Sequence, residues 1–162
     1  MGTEQHWALE ELMPHAHPMI MIDSISESAK ARTKGDQQAS LDAAVRISED
    51  SHFYERSFGV PTWVGIEYVA QTVAALAGLR ARRAGKPVTL GFLLGSRRFE
   101  VSKPYFPIGT KLLIHVSPEY ESVDLAKYAG VITDETGEVL VETAVTVYLV
   151  APAGVRDGIS SD

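Results

Sequence analysis

Cysteine does not occur in this 162-residue chain. That excludes a disulfide framework and a thiol nucleophile, and it is compatible with a reducing compartment. Positive charge is also scarce, with 15 Lys and Arg against 21 Asp and Glu and a formal net charge of −6. A nucleic-acid binder working by broad electrostatics is thereby excluded, because no basic excess is available to neutralise phosphates. The N-terminus, MGTEQHWALEELM, lacks the basic segment and apolar run of a secretory signal. A cytoplasmic protein is the expectation. The most apolar stretch, WVGIEYVAQTVAALAGL from Trp63 to Leu79, is Ala- and Gly-rich, contains Glu67 and Gln71, and is only seventeen residues long. It falls at the lower limit of the roughly 17–25 residues of a membrane span, so a core helix fits better. Neither a GxGxxG motif, a P-loop, a serine in a nucleophile elbow nor an internal repeat occurs.

What remains is the composition of an ordinary globular protein, 45% hydrophobic and 22% charged. It is sufficient for one domain over residues 1–150, followed by a poorly ordered tail over 151–162. A short helical turn is expected at 7–12, ahead of Pro14, and a first strand from Met19 to Ile25. From Ala39 to Ile47, apolar Ala39, Leu41, Ala43, Val45 and Ile47 alternate with mostly polar neighbours, the period of a strand with one wet face. A break at Lys34-Gly35-Asp36 separates the two strands. After a loop rich in aromatic and charged residues, Pro61 and Thr62 open a long helix, with Thr62 as its N-cap and Gly85-Lys86-Pro87 as its stop. Apolar residues occupy all sides of this helix through Leu79, so it should be wrapped rather than laid on a surface. Four strands follow: Val88 to Leu94, extending to Val101 or bulging near Gly95; Lys111 to Glu119; Leu125 to Thr133; and Val139 to Val150. The turn at Asp134-Glu135-Thr136-Gly137 joins the last two. Two strands, a buried helix and four strands without crossover helices call for an antiparallel sheet curled around one long central helix. This is an α+β architecture of the hotdog kind.

The single charge between Trp63 and Leu79 is Glu67. An ionised carboxylate in an apolar helix is costly unless paired or neutralised, so its presence asks for a reason. Gln71, four residues on, shares its helical face and can hydrogen-bond it. One reading is a carboxylate satisfied by backbone donors of a neighbouring loop; the other, which we favour, is a carboxyl group doing general acid/base work in a dry tunnel. His15 and His17 stand in the proline-bracketed stretch PHAHP, and His52 in the loop before the helix, whereas His6 and His115 look incidental. Two histidines without a third nearby ligand do not make a metal site. His52 is either a surface loop residue or a partner for Glu67, within a subunit or across a dimer interface. The helix start at Pro61-Thr62-Trp63 offers N–H groups that can polarise a carbonyl oxygen. Between Arg80 and Lys103, seven basic residues face one acid, Glu100. They form either a solvated surface or a docking site for an acidic partner.

Three segments, PHAHPMIMID (14–23), VPTWVGIEYVAQTVAALAG (60–78) and GFLLGSRRFEVSKPYFPIGTKL (91–112), resemble the β-hydroxyacyl-acyl-carrier-protein dehydratases of the FabA/FabZ type. That family carries a PHR-x-P-x-hydrophobic-D segment, a Pro-Gly-x4-E-x3-Q helix start and an ARF segment, so the match spans most of residues 12–150. The helix segment is also similar to divergent dehydratase-like hotdog proteins of aryl-polyene and related lipid gene clusters. The resemblance implies a homodimer or heterodimer with another hotdog subunit, acting on a thioester of acyl-carrier protein or coenzyme A delivered on a phosphopantetheine arm. It implies no metal and no redox cofactor. Glu67 takes the position of the family's catalytic acid, with Gln71 four residues later. His52 takes that of the catalytic histidine with one residue inserted, and His15 matches the PHRxP histidine and stands as the alternative base. Thr62, Trp63 and Gln71 are the substrate-contacting candidates, and Arg97 and Arg98, in the ARF segment, suit an acidic carrier. The implied reaction is dehydration of 3-hydroxyacyl thioesters to trans-2-enoyl thioesters. Acyl-thioester hydrolysis, or a non-catalytic partner subunit of a heterodimeric dehydratase, are the alternatives.

Overall fold

The computed structural model describes residues 7–28 and 40–150. The expected break at Lys34-Gly35-Asp36, the strand start at Ala39, His6 and the tail over 151–162 lie outside the described residues. In chain order the elements are α1 (Leu9–Leu12), β1 (Ser24–Glu27), β2 (Leu41–Arg46), β3 (Val60–Pro61), a 3-10 turn (Thr62–Val64), α2 (Gly65–Arg83), β4 (Gly91–Val101), β5 (Tyr105–Phe106), β6 (Lys111–Glu121), β7 (Leu125–Thr133) and β8 (Val139–Leu149). Six strands form one antiparallel sheet in the order β1-β2-β6-β7-β8-β4. The hotdog arrangement is therefore present, with α2 as the helix that the sheet embraces.

Alternation along the strands explains which face turns inward. Ala126, Tyr128, Gly130 and Ile132 of β7 are buried, as are Leu112, Ile114 and Val116 of β6, while their neighbours are more exposed. The buried face meets Val69, Val73 and Leu76 of α2 in one apolar core. Contact is close enough to require glycine at two points. A Cβ on Gly130 would lie 2.6 Å from Val69 Cγ1, and one on Gly78 would lie 1.7 Å from the Leu12 carbonyl oxygen. The second of these is where α1 crosses α2.

The wrapping of α2 is incomplete. No residue from 65 to 79 is exposed, yet Ile66, Glu67, Ala70, Ala74 and Ala77 are only half-buried. These positions recur at helical spacing on one face. The sheet, α1 and residues 19–21 cover the remaining circumference, and this face borders a cavity.

Several boundaries differ from the sequence expectation for identifiable reasons. The first strand is Ser24–Glu27 rather than Met19 to Ile25. Met19 and Met21 do not lie in a ladder because their backbone groups bond a side chain of α2, described below. Strand β4 runs on to Val101, but its register against β8 slips at two places, leaving Leu94 and Arg97 as extra residues. Two-residue strands β3 and β5 pair Val60 with Phe106 and Pro61 with Tyr105; such short elements show no periodicity in sequence. Thr62 is not the N-cap. Its hydroxyl donates to the carbonyls of Lys103 (2.9 Å) and Pro104 (3.2 Å) instead of accepting from the helix. The β3–β5 pairing brings that loop against Thr62, and a 3-10 turn intervenes before α2 begins at Gly65.

Candidate active site

Glu67 lies in the first turn of α2, half-buried on the face the sheet leaves open. Its Oε1 accepts a hydrogen bond of 2.9 Å from Gln71 Nε2. Gln71 is fully buried, and the same Nε2 donates to the Met19 carbonyl (2.8 Å) while its Oε1 accepts from the Met21 N–H (2.8 Å). One side chain thus takes the place of a neighbouring strand for residues 19–21. It also fixes the carboxylate, leaving Oε2 of Glu67 outside this network. The hydrogen bond between Glu67 and Gln71 follows from their i,i+4 spacing. The latch onto residues 19–21 had no sequence signal, because the partner groups are backbone.

The segment so held carries His15 toward Glu67. Both line one cavity, together with Pro14, Ala70, Ala74 and Ala77 on the near side and Leu93, Tyr128, Val147 and Leu149 on the other. His15 Nδ1 is buried with no hydrogen-bond partner among the described residues. A buried ring nitrogen with nothing to bond is costly, and at the wall of a cavity it is a group available to a ligand. The cavity thus holds a carboxyl group and an imidazole in a lining that is otherwise mostly apolar.

His52 is placed elsewhere. It borders a second cavity with His17, Asp23, Arg46, Asp50 and Tyr68. Within one chain, therefore, the cavity groups Glu67 with His15 and not with His52. Burial pushes the Tyr68 phenol well above its usual range, with the Asp23 carboxylate adding to the effect, so it stands as a neutral hydroxyl. His17 Nε2 lies 2.6 Å from Glu10 Oε1 in an exposed pair, and His115 Nδ1 lies 2.6 Å from Asp42 Oδ1 on adjacent strands.

The helix start is less open than the sequence suggested. Thr62 N–H donates to the Pro104 carbonyl (3.0 Å), so both the amide and the hydroxyl of Thr62 are committed to the 103–104 loop. Trp63 is 56% exposed and meets Phe53, 57% exposed, edge to face at 5.1 Å. Phe53 has a φ of 62°, in the left-handed region uncommon for a side chain of its size.

The basic island is largely neutralised by acids distant in sequence. Arg80 pairs with Glu121, Arg83 with Glu27, and Lys103 with Glu138. Arg98 binds Glu100 through both oxygens at 3.0 Å and also reaches Glu142. These contacts raise the Arg98 guanidinium further and hold the Glu100 carboxyl below its usual range. Arg97, the extra residue of the β4 bulge, is exposed. Glu121 also accepts from the buried Tyr128 hydroxyl at 2.6 Å. Burial works to raise the Glu121 carboxyl, but the hydrogen bonds from Tyr128 and Arg80 outweigh it and leave it lowered.

Comparison with known proteins agrees with this architecture. A family model described as ApeP-like, ApeP dehydratase, matches residues 7–155. The chain is 28% identical over 131 residues to the 3-hydroxyacyl-[acyl-carrier-protein] dehydratase FabZ of Agrobacterium fabrum, a match covering 79% of each protein. Among solved structures it superposes on a chain of the dehydratase heterocomplex ApeI:P of Xenorhabdus doucetiae. The TM-score there is 0.79 at 23% identity, covering 91% of this chain and 93% of that one. A thioesterase of Haemophilus influenzae shares the fold at a TM-score of 0.60 and 13% identity, over 94% of this chain and 97% of that one.

Proposed function

Because the chain belongs to the ApeP-like dehydratase family, we propose that it dehydrates 3-hydroxyacyl thioesters, carried on acyl-carrier protein, to trans-2-enoyl thioesters. The observation that carries this reading is the shared cavity of Glu67 and His15. His15 takes the proton from C2 through its free ring nitrogen, the C3–O bond breaks, and Glu67 delivers a proton to the departing hydroxyl, which leaves as water. Returning the proton from His15 to Glu67, directly or through solvent, resets the pair. No electron donor or metal is required by this sequence of steps. Gln71 keeps Glu67 Oε1 engaged so that the other oxygen faces the substrate.

A second reading is favoured by a specific observation. Strand β4 is an unpaired sheet edge eleven residues long, with Phe92 and Leu94 51% and 61% exposed. A long apolar edge of this kind is an aggregation hazard unless another chain covers it. We propose that the protein works as a dimer, with itself or with another hotdog subunit as in the heterocomplex of the relative. In such an assembly the base serving Glu67 is either His15 of the same chain or His52 of a second one. Acyl-thioester hydrolysis is the competing chemistry, since several structural neighbours are thioesterases.

The test is turnover of a 3-hydroxyacyl-carrier thioester, following enoyl product and free thiol together. Enoyl product without thiol supports the reading, and thiol release without enoyl product replaces it with hydrolysis. Glu67→Gln should lower dehydration by about 10²–10⁴-fold, because the amide keeps the size of the acid but cannot supply its proton. A Glu67→Gln variant at the parental rate would remove Glu67 from the mechanism.

A further inference from the structure

Residues 14–19 connect α1 to the segment before β1, and every one of them except His15 is exposed. The Nδ1 of His15 is buried, and its residue lines the cavity that Glu67 also lines. A stretch with so little buried surface has no packing of its own to hold a ring in place. Its ends are tied. The Met13 N–H donates to the Leu9 carbonyl (3.1 Å), the Met19 N–H to the Ala16 carbonyl (2.8 Å), and Gln71 Nε2 to the Met19 carbonyl (2.8 Å).

The middle of the stretch is fastened to α1, where His17 Nε2 donates to Glu10 Oε1 at 2.6 Å. The backbone at Glu10 and then the His17 ring hold the Glu10 carboxyl below its usual range, so the acceptor is ionised at neutral pH. An N–H bonded to a carboxylate is stronger than one bonded to a neutral group, and the carboxylate keeps the ring proton on Nε2 in either charge state of the histidine. Glu10 in turn stands on an anchored element. Leu12 is buried with its carbonyl against Gly78 of α2, and the Glu11 carbonyl accepts from Arg82 Nε (3.0 Å).

Resting on the dehydratase reading for its chemical consequence, we propose that Glu10 and His17 are a positioning pair, a clasp from α1 that holds residues 14–19 so that His15 stays at the Glu67 cavity. Both act through His15, because a base contributes only when it is held in reach of the proton it takes. The second histidine of PHAHP does not line the Glu67 cavity and gains a role by this.

The test compares the parent with Glu10→Ala, His17→Ala, the double variant and Glu10→Gln. In each alanine variant kcat on a 3-hydroxyacyl-carrier thioester should fall about 2–5-fold, the range open to an exposed pair, with KM unchanged. The double variant should lose no more than either single one, as expected of two residues acting as one contact. Glu10→Gln keeps an oxygen that can accept from Nε2 and should retain more activity than Glu10→Ala. Nitrogen-15 NMR of histidine-labelled protein reads the clasp without turnover: the His15 ring resonances should move in both single alanine variants and in the same direction. Losses that multiply in the double variant, or a raised KM with kcat at the parental value, overturn the clasp. Unmoved His15 resonances overturn it whatever the activity. A parent inert on the thioester ends the dehydratase reading, and the ring resonances alone then decide whether the clasp holds His15.

Discussion

Glu67 is tied to Gln71, and Gln71 is tied to the backbone that leads from His15, so a single amide links the segments that carry the two candidate groups. All three hydrogen bonds of Gln71 lie between 2.8 and 2.9 Å. Replacing it by Met keeps the length of the side chain and removes every one of them. Two backbone groups, Met19 O and Met21 N, then lose their partner, and at about 1–3 kcal/mol for each such group the fold should be weakened by about 2–6 kcal/mol. Denaturant unfolding of Gln71→Met measures this, and an unchanged midpoint would show that the latch is not needed. That Glu67 stands at a cavity was legible in the sequence, because one carboxylate in seventeen apolar residues has few structural explanations. Which histidine shares a cavity with Glu67 was not legible, because the segment that follows His15 is placed by a side-chain-to-backbone contact fifty residues apart. Thr62 was read as a helix cap from its type and position alone, and the loop that claims its hydroxyl comes forty-one residues later.

Among the elements, α2 and strands β6 to β8 followed from periodicity, since each is long and half-buried. The two-residue strands β3 and β5 and the bulges of β4 did not, because pairing partners rather than local pattern define them. The α1–α2 crossing at Gly78 gives a sharp check. Alanine favours a helix interior over glycine by about 1 kcal/mol, but its Cβ would meet the Leu12 carbonyl oxygen at 1.7 Å. Overpacking of this kind costs about 1–3 kcal/mol, so Gly78→Ala should lower the thermal midpoint, and a raised midpoint would mean that α1 does not pack there. The β7–β8 turn offers a second check through pH. Asp134 Oδ1 accepts from the Thr136 hydroxyl (2.7 Å), the Thr136 N–H (2.9 Å) and the Glu138 N–H (3.0 Å). The Thr136 hydroxyl, acting with these backbone donors and against desolvation, holds the Asp134 carboxyl below its ordinary value of 3.8. A carboxyl depressed in the folded state contributes stability above its unfolded value, and that contribution disappears as pH falls through the folded one. The difference in stability between the parent and Asp134→Asn should therefore be present near neutral pH and vanish in acid; a difference that grows in acid would reverse the assignment.

At the scale of the molecule, charge is rearranged by folding. The sequence shows a basic run, yet Glu27, Glu121, Glu138 and Glu142 return to it from other elements. Exposed pairs of this kind contribute little to stability, at most about 1 kcal/mol each, but they leave less free positive charge than the run implies. No helix among the described residues is long and apolar enough to cross a membrane. The open edge of β4 makes association the remaining question, and it bears on the chemistry, because the histidine that serves Glu67 belongs either to the same chain or to a neighbour. Mixed dimers decide this most directly. Glu67→Gln chains are combined with chains carrying both His15→Ala and His52→Ala, and dehydration of a 3-hydroxyacyl-carrier thioester is measured before and after mixing. With acid and base in one chain's cavity, as Glu67 and His15 are placed, each site of the mixed dimer lacks one of the two, and mixing restores nothing. Recovery of activity on mixing would contradict the account and assign the base to the opposite chain.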